Sequence, residues 1–128
     1  MENATIAFDP MGFLRICFTE SEKEIDLEEA KKHFETSFKL TNGKKMPVLI
    51  DARKGLPELT EKALAYISRN KEMAHLRTAE AVIIDNLAKR MLVRFYYVFH
   101  KPNNPLNIFH SEKEAIVSAG FTLIKRRT

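Results

Sequence analysis

Apolar positions along this chain change their period several times, and each change marks a segment boundary. Residues 5–8 and 13–18 alternate with the period of two that belongs to strands. Asp9-Pro10-Met11-Gly12 between them supplies turn residues, so the pattern predicts a hairpin. In its second strand Leu14, Ile16 and Phe18 share the face expected to meet the core, while Phe13, Arg15 and Cys17 share the other. From Asp26 the period lengthens. Leu27, Ala30, Phe34 and Phe38 recur at helical spacing, with Asp26 as N-cap and Glu28 and Glu29 opposing the positive helix end. Asn42-Gly43 then stops the helix by accepting a left-handed backbone.

Met46-Pro47-Val48-Leu49-Ile50-Asp51 no longer alternates, which is how a strand covered on both faces reads. Such a strand is central in its sheet, and the crevice beyond the carboxyl ends of an open α/β sheet is the usual binding place. Asp51, Arg53 and Lys54 belong there. A helix is predicted from Pro57 or Thr60 to about His75, capped by the Thr60 hydroxyl and burying Ala63, Leu64, Ile67 and Ala74. Residues 79–84 read as the next strand, ending at Asp85-Asn86, which can cap a helix over 86–100. In that helix Ala88, Met91, Leu92, Phe95 and Phe99 form one stripe. Val93, Tyr96 and Tyr97 lie off it, interleaved with Lys89, Arg90 and Arg94. A helix apolar nearly all round either packs on two sides or presents a patch to a partner, and Arg and Tyr are enriched at interfaces. Lys89, Val93, Arg94, Tyr96 and Tyr97 are therefore the candidate interface.

After a loop at 101–105, residues 106–109 predict a short strand, and Ser111-Glu112-Lys113-Glu114 is a capping box. Ala115, Ile116 and Ala119 form the buried side of the helix it opens, Gly120 stops it, and residues 121–124 extend as a terminal strand. The order is β-β-α-β-α-β-α-β-α. It predicts an α/β fold whose mixed, largely parallel sheet starts with a hairpin and carries its helices packed on it.

Composition narrows the class. The 128 residues, 45% apolar and 30% charged, suit one globular domain over 1–128. Cys17 is the single cysteine, which excludes an intramolecular disulfide framework. No signal-peptide pattern and no apolar run near 18 residues is present, so a cytoplasmic protein with no integral membrane segment is expected. The net charge of +4 is uneven: residues 1–64 hold 10 Lys/Arg against 12 Asp/Glu, and residues 65–128 hold 11 against 5. Lys125-Arg126-Arg127 is too short for a nucleic-acid arm, and no nucleic-acid partner is expected.

Candidate chemistry is sparse. There is no Walker loop, dinucleotide fingerprint, nucleophile elbow or zinc-binding histidine pair. His33, His75, His100 and His110 fall on different elements without chelating spacing, so neither metal nor cofactor is expected. Cys17 has no nearby basic activator. Asp51 and Asp85 end neighbouring predicted strands and could converge as a carboxylate pair, with Arg53, Lys54 and Asn86 close by. Aspartates that end strands are more often turn formers and caps.

The element order, together with Pro47-Val48-Leu49-Ile50-Asp51 and with Asn107-Ile108-Phe109 followed by Ser111-Glu112-Lys113-Glu114-Ala115, resembles the anti-sigma-factor antagonist (STAS) domains. Within them it is similar to small bacterial STAS-like, SpoIIAA-like proteins that are sometimes grouped with the SEC14-type lipid-binding fold. The resemblance implies a regulatory domain with a phosphorylatable Ser or Thr after the strand aspartate. Here Ala52 and Arg53 stand where that serine is expected, and Thr60 is the nearest hydroxyl at a helix start, hence the candidate phosphosite.

The expected function is therefore a non-catalytic module that binds a protein partner, or a second copy as a homodimer. Its face comprises Asp51, Arg53, Lys54, Thr60, Asp85, Asn86 and Arg90. The alternative is a lipid or small amphipathic ligand in an apolar pocket lined by Phe95, Phe99 and Phe109.

Overall fold

The computed structural model describes residues 3–20, 23–89, 91 and 106–117. Strand β1 (Ala4–Asp9) pairs antiparallel with β2 (Phe13–Phe18), from Ala4 opposite Phe18 to Asp9 opposite Phe13. The turn forms where expected. The Asp9 carboxylate accepts from the Met11 amide at 2.9 Å, the Asp9 carbonyl accepts from Gly12 at 2.8 Å, and Gly12 takes φ 98°.

Strands β3 (Met46–Asp51), β4 (Arg77–Ile83) and β5 (Leu106–Phe109) continue the sheet in parallel, giving the order β1-β2-β3-β4-β5. Strand β3 is in the middle, and Met46 through Leu49 are all buried. Pro47 has no N–H for a ladder, and prolines inside sheets occur at bulges. The register shifts there: β3 moves on two residues from Met46 to Val48 while β4 moves on three, from Arg77 to Glu80.

Both faces of the sheet are covered. On one face Leu14, Ile16 and Val48 form a cluster that Ile50 and Phe18 extend, and Phe18 packs in turn against Ile25, Ala30 and Ala63. Ala30 lies on helix α1 (Leu27–Thr41) and Ala63 on α2 (Glu61–Arg69). On the other face Phe13, Leu49 and Ile83 pack against Ala115, with Ala81, Phe109 and Ile116 around them. Ala115 and Ile116 belong to the helical stretch 112–117. Full burial of a Leu, Ile or Phe side chain contributes about 1.5–3 kcal/mol, so this second layer is a substantial part of the stability.

The structure corrects three details. Phe13, assigned by alternation to the face away from the core, is 1% exposed because helix 112–117 covers that face too. Phe38 is 47% exposed, and Ser37 and Thr41 are buried in its place. Spacing of four residues drifts about 40° per step around a helix, so a line through Ala30, Ser37 and Thr41 stays on the sheet while Phe38 has rotated off it. The Thr41 hydroxyl satisfies itself by donating to the Ser37 carbonyl at 2.8 Å. Third, the helix expected to reach His75 breaks at Asn70, whose ψ is 96°, into α2 and a short α3 (Lys71–Leu76). Strand β4 then starts at Arg77, two residues earlier than alternation suggested.

The caps follow expectation. Asp26 accepts from the Glu29 amide at 2.8 Å, Thr60 from Ala63 at 3.2 Å, Asn86 from Lys89 at 2.9 Å and Ser111 from Glu114 at 3.3 Å. Asn42 and Gly43 both take positive φ at the end of α1. Residues 87–89 and Met91 are helical. Arg90, Val93, Arg94, Phe95, Tyr96, Tyr97 and Phe99 lie outside the described residues, as do Ala119, Gly120 and the strand expected at 121–124. Among the described residues no helix is long and apolar enough to cross a membrane.

Candidate binding face at the strand ends

The parallel strands all end on one side, and their ladders continue just past the last strand residues. Ala52 donates to the Ile83 carbonyl at 2.9 Å and Ile84 to Phe109 at 3.0 Å. This brings the segments that follow β3, β4 and β5 together. Asp51 is mostly buried and grips the loop after it: Arg53 donates from Nε at 3.0 Å and from Nη2 at 2.8 Å, one to each carboxylate oxygen, and from its amide at 3.1 Å. This forked guanidinium contact holds the Asp51 carboxyl below its usual range, and the Asp51 charge raises Arg53 in return.

Asp85 is engaged in the same way by a different cation. The Lys89 ammonium lies 2.9 Å from Asp85 Oδ1 and also donates to the carbonyls of Ala52 at 3.1 Å and Arg53 at 2.9 Å. An ammonium has three donors, and Lys89 uses them to tie the start of its helix to the loop after β3. Its hydrogen bond lowers the Asp85 pKa. Asn86 adds a bond from Nδ2 to Asp85 at 3.2 Å. Asp51, Arg53, Asp85, Asn86 and Lys89 are thus brought together, with Lys54 exposed on the same loop. Lys89, expected at an outward interface, points its ammonium inward.

Behind this edge runs a chain of alternating charge. Arg15 donates to Glu112, lies 3.5 Å from Asp9 and places its guanidinium 5.5 Å from the centre of the Phe13 ring. Glu112 is also 3.9 Å from Arg53. Burial of Arg15 opposes its charge, but Glu112 and Asp9 outweigh that and raise its pKa. Asp9, Arg15, Glu112, Arg53 and Asp51 therefore form one line that fastens helix 112–117 to the sheet. The sequence showed Glu112 only as part of a capping box. The one-dimensional hint was Arg15 itself, a charge set in the middle of an apolar strand.

Cys17 pairs with Asp51 in the ladder, and burial pushes its thiol up, with the Asp51 charge adding to the shift. A thiol so raised stays protonated at neutral pH and is a poor nucleophile. Among the described residues no group of three His, Cys, Asp or Glu could hold a metal ion. His33 is mostly buried on α1, where burial lowers its pKa against the opposing 3.1 Å contact with Glu29.

Thr60 belongs to a different neighbourhood. Its amide donates to the Ile25 carbonyl at 3.0 Å, and a bridge between Ile25 and Leu59 sets the starts of α1 and α2 side by side. The depression between them is lined by Glu24, Asp26, Glu28 and Glu61 as well as Thr60. Lys62 lines the same depression, so a phosphate on Thr60 would have that ammonium and the two helix N-termini near it as well as the carboxylates.

The fold has a solved counterpart. An uncharacterized protein of the DUF3478 family from Shewanella loihica PV-4, with a SpoIIAA-like fold, superposes with a TM-score of 0.64 over 91% of each chain at 13% identity. At that identity the likeness establishes the fold, and this chain has a SpoIIAA-like fold. No curated protein matches it. Residues 12–117, from the hairpin turn to the end of the described C-terminal helix, match the family described as Domain of unknown function (DUF7793), and the chain belongs to that family.

Proposed function

We propose that this chain is a non-catalytic, cytoplasmic STAS-like module that regulates a protein partner by docking it at the strand-end face. The observation that carries this reading is the commitment of both strand-end carboxylates. Asp51 is taken by Arg53 and Asp85 by Lys89, and these pairs hold the loop after β3, whose Arg53 amide donates to Asp51 and whose Ala52 and Arg53 carbonyls accept from Lys89. What the loop offers outward is charge: the Arg53 side chain is 40% exposed and Lys54 is exposed beside it. Exposed cations on this loop suit acidic groups on a protein, and the neighbouring Asp85 and Glu112 carboxylates make the face one of mixed charge.

The test is affinity capture from the native host. The variant Lys54→Glu, which leaves the Asp51–Arg53 contact intact, is compared with a control, Lys31→Glu on α1. Retention of one protein by wild type and control but not by Lys54→Glu supports the face. Equal retention by all three removes it.

A second reading, binding of a lipid or other amphipathic ligand, is favoured by one feature. Between α1 and α2 lies an open depression of about 560 Å³ lined by Leu27, Phe34, Ala65 and Tyr66 together with Lys62, Arg69, Asn70 and Glu72. Phe109, expected in such a pocket, packs instead in the core beneath helix 112–117. Native mass spectrometry detects a co-purified ligand if this reading holds, and Tyr66→Ala should then reduce its occupancy.

A further inference from the structure

Helices α1 and α2 start side by side but differ in length. The bridge between Ile25 and Leu59 holds the two starts together, while α1 runs for 15 residues and α2 for 9. At a rise of about 1.5 Å per residue, α1 continues roughly 9 Å past the end of α2. Leu27, Phe34 and Phe38 are spaced by seven and four, so they share one flank of α1. Leu27 and Phe34 line the depression against Ala65 and Tyr66 of α2. The Phe38 ring stands 6.2 Å from that of Phe34, carries the apolar flank onward and is 47% exposed.

The α2 wall adds charge. Lys62 and Arg69 line the depression, both are exposed, and neither has an ion-pair partner among the described residues. Glu72 is the one acid among the described lining residues. Lys62 also lines the adjoining depression at the helix starts, where Glu24, Asp26, Glu28 and Glu61 gather. The trough between the helices is therefore acidic where they begin, and apolar with a basic wall further along.

We propose that this trough seats an amphipathic helix of a partner protein, its apolar stripe against Phe34, Phe38 and Tyr66 and its carboxylates beside Lys62 and Arg69. Three physical points select that occupant. A helix pairs its own main-chain groups, whereas an extended segment laid across two helices leaves its N–H and C=O groups without main-chain partners. An acyl chain in an open trough keeps one side in water, so a lipid recovers only part of its transfer free energy. Two parallel helices with a trough between them present ridges on which a third helix packs at about 8–10 Å between axes. Charge then sets the direction. The positive N-terminal end of the incoming helix faces the carboxylates at the start of the trough, and its acidic residues come opposite Lys62 and Arg69 further along. This second docking site is built from α1 and α2 and does not use the strand-end loop.

The test puts the photo-cross-linking residue p-benzoylphenylalanine at position 38 of the full chain in the native host and maps the product by mass spectrometry. Phe38 is half exposed, so its replacement leaves the core intact. The expected product is a protein segment with helical apolar spacing and flanking Asp or Glu, joined through its C-terminal half. Lys62→Glu with Arg69→Glu in the same background should lower the yield about tenfold, while Lys113→Glu on helix 112–117 leaves it unchanged. Lys62→Gln with Arg69→Gln, which removes the cations without adding carboxylates, should give a smaller loss in the same direction. Unchanged melting temperatures separate lost docking from lost fold. A product with a lipid, with a second copy of this chain or with a segment lacking acidic flanks overturns the proposal, as does an equal yield in the charge-reversal variant or no product at all.

Discussion

At Gly55 a single missing side chain lets a loop close. A Cβ there would stand 2.4 Å from the Thr19 carbonyl oxygen, so the loop after β3 lies directly on the backbone leaving β2. Gly55→Ala must push backbone against backbone and should lose about 1–3 kcal/mol, read from urea midpoints at unchanged slope. His33 acts through its proton. Its folded pKa lies below the unfolded value, so the folded state prefers the neutral ring, and the stability this contributes is present above about pH 6.5. That contribution disappears as pH falls through the folded value. The wild type should therefore lose stability between pH 7 and the folded pKa, while His33→Gln flattens that part of the curve and leaves a separate acid loss below about pH 4, where Asp51 protonates and releases Arg53. The close approach to Thr19 and the burial of the ring depend on segments distant in the chain.

Elements were most legible at their ends. Asp26, Thr60, Asn86 and Ser111 cap as read, because a cap involves residues only three apart. The stop of α1 is equally local. Asn42 sits at φ 56°, and Gly43 at φ 73° stands against the Phe38 ring. Asn42→Ala forces a Cβ into the left-handed region without a polar side chain to ease it, and should cost about 1 kcal/mol, whereas Asn42→Gly should be neutral or stabilising. Thermal melts of the two variants check the opposite signs. Which residues of α1 face inward was less legible. Phe38 outranks Ser37 in hydrophobicity, but the angle at which the helix crosses the sheet decides the matter, and that angle is not written within α1.

For the whole molecule, the central position of β3 governs stability. Leu49 is fully buried between β2 and β4 under helix 112–117, whereas Phe38 projects from α1. Leu49→Ala should cost about 2–5 kcal/mol and Phe38→Ala much less than its size suggests. Chemical denaturation of the pair measures that contrast, and equal losses would mean that β3 is not the middle of a two-faced core. The Arg15–Glu112 contact works at the same scale, joining residues 97 apart in sequence to hold the second face closed.

By itself the sequence determined the order of elements, the hairpin turn, the caps and the buried central strand, since each follows from residues a few positions apart whose period and turn chemistry agree. It also located the strand-end residues Asp51, Arg53, Asp85 and Asn86, because the carboxyl ends of parallel strands necessarily gather on one side. Only the tertiary structure decided what those residues do. It turned Lys89 inward onto two carbonyls and gave Arg15 to Glu112. Each of these outcomes depends on distances between segments that the chain brings together only when it folds, and no local pattern encodes such a distance.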